Sequence, residues 1–230
     1  MSMSPRQLAF DIPHRPALGA EDFLVSNSNE AAVALVDRWP DWPAGAAVIA
    51  GPAGSGKSHL ANVWRMRSNA EVLAASAITE PAVPKLASAG ALVIEDLDRG
   101  AGSEQALFHL LNLVREQRLA ILLTTAIDPG DLSIRLPDLR SRLRALAVAR
   151  IEPPDDALLR AVLVKLFADR QLTVDPGIIG YMLVRMERSM DAAQRLVAEV
   201  DRLALAMQRG VTRAVASAAL DTMDAPDAGR

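Results

Sequence analysis

The sequence predicts a parallel α/β core followed by a small all-α domain, and three observations carry that prediction. The segment Gly51-Pro52-Ala53-Gly54-Ser55-Gly56-Lys57-Ser58 satisfies G-x-x-x-x-G-K-[ST] and lies between a short apolar run and a stretch of helical periodicity. Short apolar runs then recur, alternating with helix-like stretches, as strands buried on both faces of a parallel sheet do. After Glu152 those runs stop, Pro153-Pro154 interrupts the chain, and only capped helical segments follow.

Ala46-Ala47-Val48-Ile49-Ala50 reads as the first strand, and Leu60, Val63 and Trp64 recur behind it at helical spacing, so strand, loop and helix come in the order the motif requires. In such a loop Gly51, Gly54 and Gly56 let backbone N–H groups converge on phosphates, and the helix N-terminus adds positive partial charge. Lys57 then reaches the terminal phosphates and Ser58 offers its hydroxyl to Mg²⁺. The expected cradle is Gly51, Pro52, Ala53, Gly54, Ser55, Gly56, Lys57 and Ser58, with His59 just beyond it.

Ala91-Leu92-Val93-Ile94 is the next strand and ends on Glu95 and Asp96, where a parallel sheet opens its ligand crevice. Such an acid pair can hold Mg²⁺ through its water shell and polarise a water. The plain alternative, a solvated pair of turn acids, loses weight because the glycine-rich loop lies upstream. Ser103 to Arg118 shows an amphipathic helix, with Leu107, Leu110, Leu111 and Val114 on one face. Ala120-Ile121-Leu122-Leu123 is a further strand ending in Thr124-Thr125. The Thr124 hydroxyl is a candidate contact to a terminal phosphate or attacking water; threonine is also a good β-former, and both readings stand. In the loop that follows, Leu136 to Arg144, Arg140, Arg142 and Arg144 alternate before the strand Leu146-Ala147-Val148-Ala149. They are candidates for a partner's phosphate or members of a solvated basic turn.

In the second domain Asp155-Asp156 caps a helix to Arg170, and Asp175-Pro176 opens a second. Ser189 caps a long third helix toward Arg209-Gly210, and Thr212 opens a fourth. The 230 residues suffice for both units, each with a core resting on Ala, Leu, Val and Ile, since only 3% are aromatic. A net charge of −3 does not support a chain whose main task is gripping phosphate backbones. Without cysteine there is no disulfide framework or thiolate chemistry. The first residues lack the apolar centre of a signal peptide and no apolar run approaches a membrane span, so a cytoplasmic protein is expected.

A P-loop α/β core with strand-end acids, a hydroxyl position and arginines in this order, followed by a helical lid, resembles the AAA+ ATPase superfamily. Within it the chain is similar to the bacterial replication initiator DnaA and its truncated relatives of the Hda type, over about residues 20–223. The matching residues are Phe23-Leu24-Val25 through Asn29, resembling the entry to an adenine pocket, the P-loop through His59-Leu60, and Leu136 to Leu143, resembling the box that carries an arginine finger. The resemblance implies an extension over 1–19, an AAA+ domain over 20–152, a helical lid over 153–223 and a tail over 224–230. It implies ADP or ATP with Mg²⁺ as cofactor, metal contacts from Ser58 and Glu95, Arg142 as a finger acting in trans, and Arg140 as a supporting arginine. Gln7-Leu8-Ala9-Phe10-Asp11 resembles the peptide with which replication proteins bind the DNA sliding clamp, through Gln7, Leu8 and Phe10.

Only Asn62 to Gly90 separates the P-loop helix from the acid strand, too little for the initiator's extra helices on single-stranded DNA, and no helix-turn-helix is expected after the lid. The function the resemblance implies is negative regulation of replication initiation: a nucleotide-bound protein docks on the sliding clamp and stimulates ATP hydrolysis by DnaA. Its own ATPase would be weak or absent, DNA would be reached only through the clamp, no membrane is involved, self-association is left open, and the location is the cytoplasm at the nucleoid. The alternative is a helicase-loader or clamp-loader-like AAA+ ATPase. A small-molecule kinase would need a base beyond Glu95 and Asp96, and His14, His59 and His109 form no constellation. Two departures from the family stand out. Glu95 occupies a position where most relatives have Asp, and Asp191 falls where a lid arginine normally reaches the phosphates, with Arg188 and Arg195 at helical spacing as substitutes.

Overall fold

The computed structural model describes residues 24–224. Gln7, Leu8, Phe10 and Phe23 lie outside the described residues, as does the tail beyond Asp224. Helix α1 (Glu30–Asp37) leads into β1 (Ala46–Ala50), α2 (Lys57–Ser68), β2 (Glu71–Ala74), α3 (Val83–Ala87) and β3 (Ala91–Glu95). Then come α4 (Glu104–Glu116), β4 (Ala120–Thr125), α5 (Pro137–Arg144) and β5 (Ala147–Arg150). The sheet order is β2-β3-β4-β1-β5 and every pair is parallel. Parallel pairing places all five C-terminal ends on one edge.

The apolar runs form strands because both faces of the sheet are covered: β1 is buried at all five positions. Val48, Leu92, Ile121 and Leu123 pack with α3, α4 and α5 on one face, while Ile49, Val93 and Leu122 pack with α1 and α2 on the other. Each such side chain contributes about 1.5–3 kcal/mol of burial. The short edge strand β2 has only the brief apolar run Val72-Leu73-Ala74, and Glu71, Val72 and Ala74 are exposed.

The lid is α6 (Asp156–Asp169), α7 (Pro176–Leu183), α8 (Met190–Ala206) and α9 (Arg213–Asp224), around a core of its own with Leu159, Phe167, Met182 and Leu196 at its centre. Asp155, Asp175 and Ser189 cap the first three as expected, each side-chain oxygen accepting a first-turn N–H. Among the described residues no helix is long and apolar enough to cross a membrane.

One expectation is corrected. Arg142 lies on helix α5, not on a loop. Pro137 takes the first helical turn, where its missing N–H costs nothing, and Leu139 and Leu143, one turn apart, bury one face. Alternating arginines look like a turn on paper, but at about 100° per residue a helix puts Arg140 and Arg144 on one side and Arg142 on the other. Helix α4 holds α5 at both ends. Glu104 accepts the N–H groups of Arg135 (3.0 Å) and Leu136 (2.7 Å), while Asn112, two turns on, accepts from Arg142 Nη2 at 2.5 Å.

The backbone N–H of Arg135 holds the Glu104 carboxyl below its ordinary range, helped by that of Leu136 and the Arg135 charge. A depressed folded pKa stabilises above the unfolded value and is lost as pH falls through the folded one. Wild type should therefore exceed Glu104→Gln in stability at neutral pH, and the difference should close as the pH drops below the usual glutamate range. Urea titrations of both proteins across that window check it.

Candidate nucleotide-binding site

The register of β1 against β4 sets Ile49 beside Thr124, and that of β3 against β4 sets Ile94 beside Leu123, so three strand ends meet at the P-loop. Gly54 (φ +68°) and Gly56 (φ +102°) take left-handed conformations that turn the loop into α2. At Gly54 a Cβ would lie 2.8 Å from Ser189 Cβ, because the lid reaches the loop: Met190 N–H donates to the Gly54 carbonyl at 2.7 Å.

Lys57 is nine-tenths buried, and its Nζ donates to the carbonyls of Gly51 (2.7 Å) and Pro52 (2.9 Å). An ammonium has three protons, so one remains for a phosphate oxygen. Burial lowers the Lys57 pKa, against the opposing pull of Asp98, then Asp96; Arg99 lowers it and Glu95 raises it least. An incoming phosphate would favour the charged form. Ser55 Oγ is buried without a hydrogen-bond partner. The loop thus carries a free ammonium proton and an orphaned hydroxyl, and a phosphate-bearing ligand fits both.

Lys57 and Ser58 face a cleft of about 410 Å³ also lined by Ala53, Gly54, Gly56, His59, Asp96 and Asp98. The lid closes it with Met190, Asp191 and Gln194. Adjoining is a pocket of about 260 Å³ between Leu24, Asn29, Ser55 and the lid residues Val162 and Leu166. Asn29 shapes its entry: its Oδ1 accepts Ser26 N–H at 2.9 Å and its Nδ2 donates to the Leu24 carbonyl at 2.9 Å. One cleft suits phosphates and the other, mostly apolar, a base.

The structure brings together Gly54, Gly56, Lys57, Ser58, His59 and Asp96. Glu95 ends β3 half-buried and outside the cleft lining. Thr124 is fully buried and its Oγ1 accepts Asp96 N–H at 3.2 Å. Arg140 and Arg142 stand elsewhere, on α5: Arg140 is exposed and donates from Nε to the Ile134 carbonyl at 3.2 Å, and Arg142 is half-buried against α4. Asp191 does line the cleft, and Arg195 meets it at 3.0 Å. Arg188 instead pairs with Asp156 at 2.8 Å, so neither candidate substitute reaches the cleft lining.

Sequence reasoning missed Asp98 and Arg99, in the 3₁₀ turn after β3, and the lid residues Met190 and Gln194. Asp98 was visible in Glu95-Asp96-Leu97-Asp98 as one more turn acid. Nothing local in the sequence signals that the lid folds back onto the loop.

The chain has the AAA+ ATPase fold: a parallel sheet between helices, a P-loop at its C-terminal edge and a helical lid across it. Domain III of the replication initiation protein DnaA from Thermotoga maritima is similar to it with a TM-score of 0.73 and 18% identity, over 92% of this chain and 99% of that one. DnaA from Aquifex aeolicus, bound to AMPPCP, is similar at 0.68 and 18%, over 81% and 66%. The RuvB Holliday junction branch migration motor of Thermotoga maritima gives 0.64 and 17%, over 80% and 63%. No family model matches the chain.

Gly54→Ala should cost about 1–2 kcal/mol from the left-handed backbone alone, and the lid must also move from the loop. Chemical denaturation should show the loss, and titration with ADP should show weaker binding than wild type.

Proposed function

We propose that this protein holds an adenine nucleotide at the joint between core and lid and regulates replication initiation by stimulating ATP hydrolysis on a partner initiator of the DnaA type. The observation that carries the nucleotide reading is the buried Lys57 ammonium, braced on Gly51 and Pro52 with one proton left for phosphate. Gly54 and Gly56 would supply backbone N–H groups and Ser55 its unpaired hydroxyl. The base would lie between Asn29 and the lid. Support for a replication partner comes from the likeness to DnaA and from the motifs in the sequence.

Mg²⁺ would be held by Ser58 and Asp96, which line the cleft, and by Glu95 only if its side chain turned in from outside that lining. Among the described residues no group of three His, Cys, Asp or Glu side chains could hold a metal, so the ion would enter with the nucleotide and take phosphate oxygens as ligands. The metal's chemistry is neutralisation of phosphate charge. The buried Thr124 hydroxyl, which already accepts from Asp96, would donate toward the terminal phosphate or its water. Intrinsic hydrolysis is read as weak, because Glu95 replaces the shorter aspartate of the family and the lid offers Asp191 instead of an arginine.

The second part of the proposal assigns Arg142 to the partner's nucleotide, with Arg140 in support. A guanidinium stays charged at working pH and bridges two phosphate oxygens, and arginine fingers supplied in trans raise rates by about 10³–10⁵. Among the described residues no carboxylate pairs with Arg142, and Asn112 braces it against α4. The sliding clamp is the proposed dock, through Gln7, Leu8 and Phe10; the location would then be the cytoplasm at the nucleoid.

Phosphate release from ATP-loaded initiator, mixed with this protein and clamp-loaded DNA, tests the proposal. Wild type should stimulate release. Arg142→Ala should not, while its ADP affinity and clamp retention match wild type and its melting temperature falls only slightly with the lost bond to Asn112. Removal of residues 1–12 should abolish clamp retention with ADP affinity intact. Full stimulation by Arg142→Ala refutes the trans assignment, and clamp retention by the truncated chain refutes the dock.

A further inference from the structure

We propose that Asp98 is a cation-facing carboxylate of the phosphate cleft and makes nucleotide binding depend on a divalent metal, an inference that rests on the nucleotide reading above. Asp98 lies beyond the strand-end acids, in the 3₁₀ turn Leu97–Arg99. It nevertheless lines the cleft with Lys57, Ser58 and Asp96, and Glu95 does not.

Three carboxylates line that cleft, and they differ in what answers them. Asp96 faces Arg99 at 3.4 Å and Asp191 faces Arg195 at 3.0 Å. Asp98 has no arginine or lysine within ion-pair distance among the described residues. Among the described residues its one hydrogen bond is from the Ala126 N–H to Oδ1 at 2.5 Å, which ties the turn after β3 to the end of β4 and leaves Oδ2 without a partner there. Among the charges around Lys57, Asp98 exerts the strongest pull, ahead of Asp96 and Glu95. One oxygen is therefore anchored, and the other belongs to a negative charge that acts on the buried Lys57 from a distance, with no arginine or lysine at ion-pair distance among the described residues.

Nucleotide phosphates brought beside that charge are repelled. A divalent cation set between the carboxylate and the phosphates reverses the sign, because hard oxygen donors of both groups share it. Asp98 would thus oppose metal-free nucleotide and favour the metal-loaded form. Asp98→Asn separates this role from the structural one: the amide keeps the size and the Oδ1 acceptor for Ala126 N–H but loses the charge.

The experiment measures ADP affinity by calorimetry in EDTA and in excess Mg²⁺ for wild type, Asp98→Asn and Glu95→Gln. Mn²⁺ affinity of each protein–ADP complex is measured by paramagnetic resonance, and melting temperatures report the fold. Mg²⁺ should tighten ADP on wild type. In Asp98→Asn that gain should largely vanish, with metal-free affinity equal to or above wild type and Mn²⁺ affinity lowered about 10–100-fold, the range typical for losing a group that supports a metal site. An unchanged metal dependence in Asp98→Asn, or an effect confined to Glu95→Gln, overturns the inference while leaving the nucleotide reading intact. No ADP binding by wild type under either condition overturns both.

Discussion

The hydrogen bond from Met190 N–H to the Gly54 carbonyl is the contact on which the site depends. It joins the start of α8 to the loop that would cradle phosphate, and it forms only because Gly54 has no side chain: any Cβ there meets Ser189. The left-handed backbone at Gly54 and Gly56 gives the loop its cradle shape, and the bare Cα of Gly54 lets the lid sit on it. Ser189 serves both units, capping α8 through Ala192 N–H while its Cβ rests against the loop. Phosphate cleft and base pocket share Gly56, His59, Met190 and Gln194, so both are products of this one joint.

Charge in the cleft is arranged around Lys57, the one buried cation among the described residues. Lys57 faces the carboxylates of Asp96, Asp98 and Asp191, while Arg99 and Arg195 are taken up by ion pairs and lie largely in solvent. Exposed pairs of that kind contribute little energy, but they decide which carboxylate is left over. On the far side of the sheet edge, α4 acts as a ruler for α5, fixing its start through Glu104 and the Arg142 guanidinium through Asn112. Asp98 lines the cleft at the P-loop and also the open cavity of about 840 Å³ beside Glu104 and Leu136, so that cleft and the start of α5 share a wall.

The strands around the P-loop were legible because their apolar runs are unbroken and both faces are buried. Caps were legible because Asp155, Asp175 and Ser189 act on N–H groups two or three residues away, within reach of a local reading. Strand β2 was hidden, since an exposed four-residue edge strand needs no pattern beyond a neighbour to pair with. Helix α5 was misread as loop because its apolar face is only Leu139 and Leu143 among charged residues. The cradle could be read from its motif and Asp96 from the strand end; that Asp98 faces the cleft and Glu95 does not could not. Whether Glu95, Asp96 or Asp98 reaches the cleft depends on the left-handed turn at Asp96 (φ +58°), which redirects the chain after β3.

The central claim is that nucleotide binds at the joint between core and lid and touches both. Hydrogen exchange with and without Mg²⁺-ADP tests it most directly. The account predicts slower exchange in the P-loop amides of residues 54–58 together with those at the start of α8 and along α6. Protection confined to the P-loop, with the lid amides unchanged, would contradict it.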